Sequence, residues 1–281
     1  MPVKKKIFNL QKVINNSLEE DLGNSGDITS NSVIDKNHIS FFKLIVNENA
    51  VLSGIDVFKK VFKSLNTKVK IKNYFSDGNK VKKGFIVCKI SGNTCSILAG
   101  ERTALNFICH LSGIATETYE LTKLLKGTKT ILLDTRKTTP GLRYLEKTAV
   151  KTGGGKNHRF NLSEMVLIKD NHIAASHGIK KAVLKVRKKY GKKFKIEVEV
   201  SNFNELKEAI RLKPDIIMFD NWSVKDLKKG IKLLPKETVS EVSGLISMRN
   251  IRQYANTGVN YISTSSMIKN SKWIDFSLEA I

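Results

Sequence analysis

The stretch Ile131-Leu132-Leu133-Asp134-Thr135-Arg136-Lys137-Thr138-Thr139-Pro140-Gly141-Leu142-Arg143 opens as a short apolar run and ends in an acid and cations. Read as a buried strand followed by a Pro-Gly turn, it delivers polar side chains from its C-terminal end. Five later apolar runs, at 165–168, 194–200, 216–219, 238–242 and 261–264, behave alike. They reach or run into Lys169-Asp170, Glu199, Asp220-Asn221, Ser243-Gly244 and Ser263-Thr264-Ser265. Helical patterns at 142–150, 179–190, 204–212, 224–234 and 248–255 separate most of them. Such alternation predicts an α/β fold with a parallel sheet. Polar ends on all six strands predict a closed barrel with one mouth, whereas an open doubly wound sheet would gather them at a switch point. Six strands are fewer than the usual eight, so the expected barrel is reduced or irregular.

Between Asp134 and His172 the polar residues are dense. Gly153-Gly154-Gly155-Lys156-Asn157-His158-Arg159 and Leu167-Ile168-Lys169-Asp170-Asn171-His172 add cations, two histidines and a triple glycine. Arginine forks bind carboxylate or phosphate bidentately, lysine supplies a point charge, and glycine lets backbone approach an anion. A ligand with several negative charges fits this set.

The first 110 residues have another rhythm. A helix is expected over 4–22, strands over 41–46, 69–75 and 85–90, and a helix over 55–65. Asp77-Gly78-Asn79 and Lys83-Gly84 read as turns. Residues 95–125 read as helical with a break near Ser112-Gly113. The expected organisation is an N-terminal α/β sandwich over 1–110, a catalytic barrel over 111–269, and residues 270–281 packing back on the first domain.

The chain has 281 residues, 41% of them hydrophobic, enough for a substantial core. No apolar run reaches the length of a membrane helix, and no apolar h-region follows the basic start, so neither a membrane span nor a secretory signal is expected. Cys88, Cys95 and Cys109 form no C-x-x-C pair and suit a reducing cytoplasm. The formal charge of +23 raises the possibility of nucleic acid. Only eight of the 49 basic residues are arginine, however, and no zinc knuckle, RNP-type aromatic motif or arginine-rich arm is present. A solvated lysine surface, or a field that gathers polyanionic small substrates, fits better.

Further motifs run nearly the whole length: Glu20-Asp21-Leu22-Gly23, Gly26-Asp27-Ile28-Thr29, Gly100-Glu101-Arg102-Thr103-Ala104-Leu105-Asn106, Leu111-Ser112-Gly113-Ile114-Ala115-Thr116, Glu197-Val198-Glu199-Val200, Phe219-Asp220-Asn221 and Glu241-Val242-Ser243-Gly244. With the Asp134–Arg143 and Gly153–Arg159 blocks, the chain resembles the quinolinate phosphoribosyltransferases, the carboxylating nicotinate-nucleotide pyrophosphorylases. The resemblance implies an N-terminal α/β sandwich and an α/β barrel with fewer than eight strands. It also implies pentosyl transfer at the de novo entry to NAD. Quinolinate and phosphoribosyl pyrophosphate would give nicotinate mononucleotide, pyrophosphate and carbon dioxide, with Mg2+ required.

On that resemblance Arg136, His158, Arg159 and Arg102 meet the dicarboxylate. Arg102 would come from a neighbouring subunit, which implies a homodimer. Thr135 belongs to the same substrate-binding block. Lys137 and Lys169 suit pyrophosphate or carboxylate oxygens; a strand-end lysine could alternatively form a Schiff base. Glu199 and Asp220 can hold magnesium through water, bind ribose hydroxyls, or oppose positive charge growing on C1. Glu197, two residues before Glu199, either shares the mouth or faces the helix layer. The 5′-phosphate is expected at Ser243, Gly244, Leu245, Thr264, Ser265 and Ser266, beside helix N-termini. Leu245 and Ser265 stand where the family usually has glycine. Two other readings remain: a related molybdenum-transport-type pyrophosphorylase, which shares Thr-Arg-Lys, and a basic RNA-binding protein.

Overall fold

The computed structural model describes residues 8–281 and resolves into two compact units. The first comprises residues up to 119 together with 138–154 and 270–281; the second comprises 120–137 and 155–269.

The first unit starts with α1 (Leu10–Leu22), where the Asn9 side chain accepts the Lys12 N–H and Gly23 ends the helix at φ 53°. Residues 4–7 of the expected helix lie outside the described residues. After α2 (Ile28–Val33) come β1 (Ile39–Val46), β2 (Ala50–Val51), α3 (Ile55–Leu65), β3 (Lys70–Asn73), β4 (Lys80–Val81) and β5 (Ile86–Asn93). In β1, Phe42, Leu44 and Val46 are buried and their neighbours are not, the alternation of a half-covered strand. In α3, Ile55, Phe58, Val61 and Phe62 recur at helical spacing on its buried side.

Next, α4 (Thr94–Leu124) is one unbroken helix, so the break expected at Ser112-Gly113 is absent. Those two residues are small for a packing reason. A Cβ on Gly113 would lie 2.1 Å from the Lys272 carbonyl oxygen, and buried Ser112 exchanges hydrogen bonds with the Ser53 backbone. The boundary expected at 110/111 therefore falls inside a helix, and the first unit continues to residue 119.

The remaining elements are β6 (Ile131–Leu133), α5 (Arg143–Thr152), β7 (Val166–Ile168), α6 (Asp170–Ser176), α7 (Ile179–Tyr190), β8 (Ile196–Val200), α8 (Phe203–Arg211), β9 (Ile216–Asp220), α9 (Val224–Ile231), β10 (Val239–Ser243), α10 (Ile251–Ala255), β11 (Tyr261–Ser263), α11 (Ser266–Lys269) and β12 (Phe276–Ala280). In the first unit β12 pairs antiparallel with β1, giving the four-strand order β12-β1-β5-β3; β2 and β4 form a separate pair.

The second unit holds the six strands expected from the sequence, all parallel, in the order β6-β11-β10-β9-β8-β7. Ladder pairing stops at β6 and β7, and Lys156 adds a single parallel bridge to Leu133. The closed ring is thus not completed by regular pairing, which leaves the irregular form. Val198, Val200, Ile217, Phe219, Val242 and Ile262 are fully buried. Each such side chain contributes about 1.5–3 kcal/mol of burial. Trp222 anchors the turn after β9, its indole N–H donating to the Val200 carbonyl at 2.9 Å.

Candidate active site

Strand register decides which side chains meet. Ser243 lies opposite both Asp220 and Ser263, and Glu199 and Glu241 both lie opposite Met218. Residues two apart share a face, so Glu197 and Glu199 point the same way and the Glu197 alternative of facing the helix layer is closed.

At the mouth, Lys169 Nζ stands 3.8 Å from Glu199 Oε2. Burial pushes the Glu199 carboxyl up, Lys169 opposes this, and Asp220 and Asp170 repel it further. The Asp220 carboxyl is also raised by burial, against a hydrogen bond from Asn221 and the charge of Lys169. Lys137 is felt by both acids. Thr135 Oγ1 accepts the Lys137 N–H at 3.0 Å and so shapes the turn that carries Lys137.

Arg136 and Arg159 form the cationic side. Burial and the neighbouring Arg136 both lower the Arg159 pKa, with Glu197 pulling the other way. The Arg159 guanidinium donates from Nη1 to the Met165 carbonyl at 3.0 Å. His158 is turned inward instead. Its side chain is only 8% exposed, with Nε2 at 3.1 Å from Glu197 Oε2 and 3.6 Å from Glu241 Oε1. Both glutamates are fully buried, and burial is the first cause that raises each carboxyl. Glu197 adds to the rise at Glu241 through its own charge.

Two features of the dense region have other work. Gly153 is a packing glycine, because a Cβ there would meet the Ala115 carbonyl oxygen at 2.3 Å and Thr118 at 2.6 Å. The expectation that this glycine opens backbone to an anion is replaced by contact with α4. His172 Nδ1 accepts the Lys169 N–H at 3.1 Å and closes the first turn of α6.

On the phosphate side, Gly244 has φ +90°, and a Cβ there would meet Asn221 Oδ1 at 2.1 Å, so glycine is required. Leu245 adopts φ 51° although it carries a side chain, which is 82% exposed. The Thr264 N–H donates to the Leu133 carbonyl, and Thr264 Oγ1 accepts the Ser266 N–H at 3.1 Å. Ser243, Ser265 and Ser266 are part-exposed beside them. The helices that follow, α10 and α11, have five and four residues, too short for the expected helix-end contribution to be large. Arg102, exposed on α4, and Arg143, whose Nε donates to Thr138 Oγ1, belong to the first unit.

Sequence reasoning gave no role to Asp170, Asn221 or Glu241. The available signal was an acidic residue at an alternating position in a β-branched strand, as in Val239-Ser240-Glu241-Val242.

The family model for the N-terminal domain of quinolinate phosphoribosyl transferase matches residues 27–112, and that for the C-terminal domain matches 114–279. A probable nicotinate-nucleotide pyrophosphorylase (carboxylating) of Bacillus subtilis strain 168 is 38% identical over 270 residues, 96% of this chain and 93% of that protein. The relative of the same description from Methanocaldococcus jannaschii is also 38% identical, covering 96% of each chain. The solved structure of the nicotinate-nucleotide pyrophosphorylase from Francisella tularensis is similar at TM-score 0.92 and 41% identity, over 97% of this chain and 96% of that one. With both of its domains matched and its strand-end residues assembled on one sheet, the chain belongs to the quinolinate phosphoribosyltransferase family.

Proposed function

We propose that this strand-end site joins quinolinate to phosphoribosyl pyrophosphate, releasing nicotinate mononucleotide, pyrophosphate and carbon dioxide. The observation that carries the proposal is the neighbouring pair Arg136 and Arg159, in the segments that follow β6 and the Lys156 bridge, in the same unit as the strand-end groups Glu199, Asp220 and Lys169. Arg136 and Arg159 bind the two carboxylates and offset their repulsion. Lys137 and Lys169 meet pyrophosphate or carboxylate oxygens. Ser243, Gly244, Leu245, Thr264, Ser265 and Ser266 receive the 5′-phosphate through hydroxyl and backbone N–H groups.

The pyridine nitrogen attacks C1 as the bond to pyrophosphate breaks, and Glu199 and Asp220 oppose the positive charge that grows on the sugar. The electron pair left on the adjacent ring carbon as carbon dioxide departs is stabilised by the positive ring nitrogen, and that carbon takes up a proton. Positioning and charge neutralisation supply the rate; no protein nucleophile takes part.

Glu199 and Asp220 also fit Mg2+: they are hard oxygen donors whose carboxyls are both raised, with Asp170 repelling each. When bound, the ion would neutralise pyrophosphate charge. Arg102 is exposed in this chain, which suits a homodimer in which it reaches a partner's dicarboxylate site. Operation in the cytoplasm suits three free cysteines; no described helix is long and apolar enough to cross a membrane.

The test is purified protein with quinolinate, phosphoribosyl pyrophosphate and magnesium, followed for nicotinate mononucleotide and carbon dioxide. No product from folded protein, or product from nicotinate but not quinolinate, refutes the proposal.

A further inference from the structure

One sugar phosphate has to satisfy two regions of this site at once. In the functional reading above, on which this inference rests, Asp220 faces the sugar at C1, while the loop at Ser243, Gly244 and Leu245 receives the 5′-phosphate. Both groups belong to one ligand, so the sugar's covalent length fixes the distance between them. The protein has to hold its carboxylate and its phosphate loop at a matching separation.

A single residue touches both. Asn221 follows Asp220 directly and has φ 57°, in the left-handed region that asparagine tolerates better than most residues. Asp220 and Ser243 are the last pair of the β9–β10 ladder, and one step beyond it the Asn221 N–H donates to the Ser243 carbonyl at 2.9 Å. The Asn221 side chain then meets the two neighbours in different ways. Its Nδ2 donates to Asp220 Oδ2 at 2.8 Å. Its Oδ1 and Cγ lie 2.1 and 2.7 Å from where a Cβ on Gly244 would stand, so the amide fills the space that glycine leaves there.

Charge fixes which way the amide faces. An ionised carboxylate accepts from an NH2 group and is repelled by a carbonyl oxygen, so Nδ2 faces Asp220 and Oδ1 faces Gly244. The same bond favours the charged form of Asp220, against the burial that raises its carboxyl.

We infer that Asn221 is a positioning residue that sets the separation between the Asp220 carboxylate and the phosphate loop at Gly244. It acts through Asp220 on one side and through Gly244 on the other, not by contact with the reacting atoms. The need for glycine at 244 and for asparagine at 221 is then one requirement: the first makes room for the spacer, and the second supplies it.

The test compares two variants. Asn221→Gly removes the spacer but keeps a residue suited to the left-handed turn. It is expected to raise the KM for phosphoribosyl pyrophosphate about tenfold, the effect of one lost charge-assisted hydrogen bond. The quinolinate KM is expected to stay within about twofold. Asn221→Asp keeps the shape but sets a second carboxylate against Asp220, and its kcat/KM for phosphoribosyl pyrophosphate is expected to fall below that of the Gly variant. Space-filling alone would be restored by aspartate. An unchanged KM for phosphoribosyl pyrophosphate in the Gly variant, an equal rise in both KM values, or an Asp variant as active as wild type overturns the inference.

Binding and structure separate this inference from the reading it rests on. By titration calorimetry, ribose 5-phosphate, which spans both groups, is expected to bind Asn221→Gly about tenfold more weakly than wild type. Inorganic phosphate, which needs only the loop, is expected to bind both alike; an equal loss for the two ligands overturns the spacer. Wild-type protein that forms no nicotinate mononucleotide counts against the functional reading. The crystal structure of Asn221→Gly then decides the spacer by itself. A turned Asp220 carboxylate or a shifted loop at Gly244 is expected, and both unmoved overturns it.

Discussion

Glu197 and Glu199 sit two residues apart on β8, share a face and are the same amino acid, yet their surroundings differ. Glu199 is partly open at the mouth and is drawn on by Lys169 and Lys137. Glu197 is sealed beneath, against His158 and Glu241. The lesson is that depth along a strand, not residue type, assigns the work. A carboxylate near water and lysines can oppose charge that appears during reaction, whereas burial pushes one sealed beneath it toward its neutral form.

Exchanging charge at the mouth should give the largest effect. Glu199→Gln is expected to lower kcat by about 100-fold with little change in either KM, the cost of one electrostatic group aimed at the transition state. Steady-state kinetics with both substrates check this, and a pure KM effect would make the two glutamates alike. Arg136→Ala is expected to raise the quinolinate KM by about 30-fold, or about 2 kcal/mol, while leaving thermal unfolding unchanged.

Between mouth and phosphate loop, Gly244→Ala forces a Cβ into Asn221 at positive φ. A loss of about 2 kcal/mol in urea unfolding is expected.

The floor should answer to pH. Burial raises the Glu197 and Glu241 carboxyls in the folded chain from an ordinary 4.5 to about 8. The folded state then binds more protons than the unfolded one between those values, so stability falls as pH rises through them and is fully present only below the lower one. Unfolding free energy is expected to drop by at least about 1 kcal/mol from pH 5 to pH 8. Glu241→Gln, with no proton to lose, should flatten the curve; an unflattened curve would mean that the floor does not hold the extra protons.

The smallest effect is at Leu245. Its left-handed backbone costs about 1 kcal/mol, and its exposed side chain returns little. Leu245→Gly should stabilise by about 0.5 kcal/mol after the extra freedom of the unfolded glycine is deducted. Chemical denaturation of the two chains checks the sign.

Much of this was legible in the sequence because it is local. Apolar runs between polar ends give β6 to β11, and the cations after them give the mouth. What stayed hidden depends on atoms far away in the chain. Ser112-Gly113 reads as a helix break until the backbone at Lys272 is seen against it. Gly153 reads as an anion glycine until Ala115 is found there. His158 reads as a cation because no pattern shows that Arg159 occupies one ring nitrogen and two glutamates face the other.

The pairing of β12 with β1 also constrains how the chain is made. Residues 39–46 leave the ribosome long before their partner strand at 276–280. Until then the nascent first sheet carries a bare edge, while the six parallel strands can already assemble. An open strand edge invites pairing with other chains. The interval before residue 280 emerges is therefore when a nascent chain most needs a chaperone.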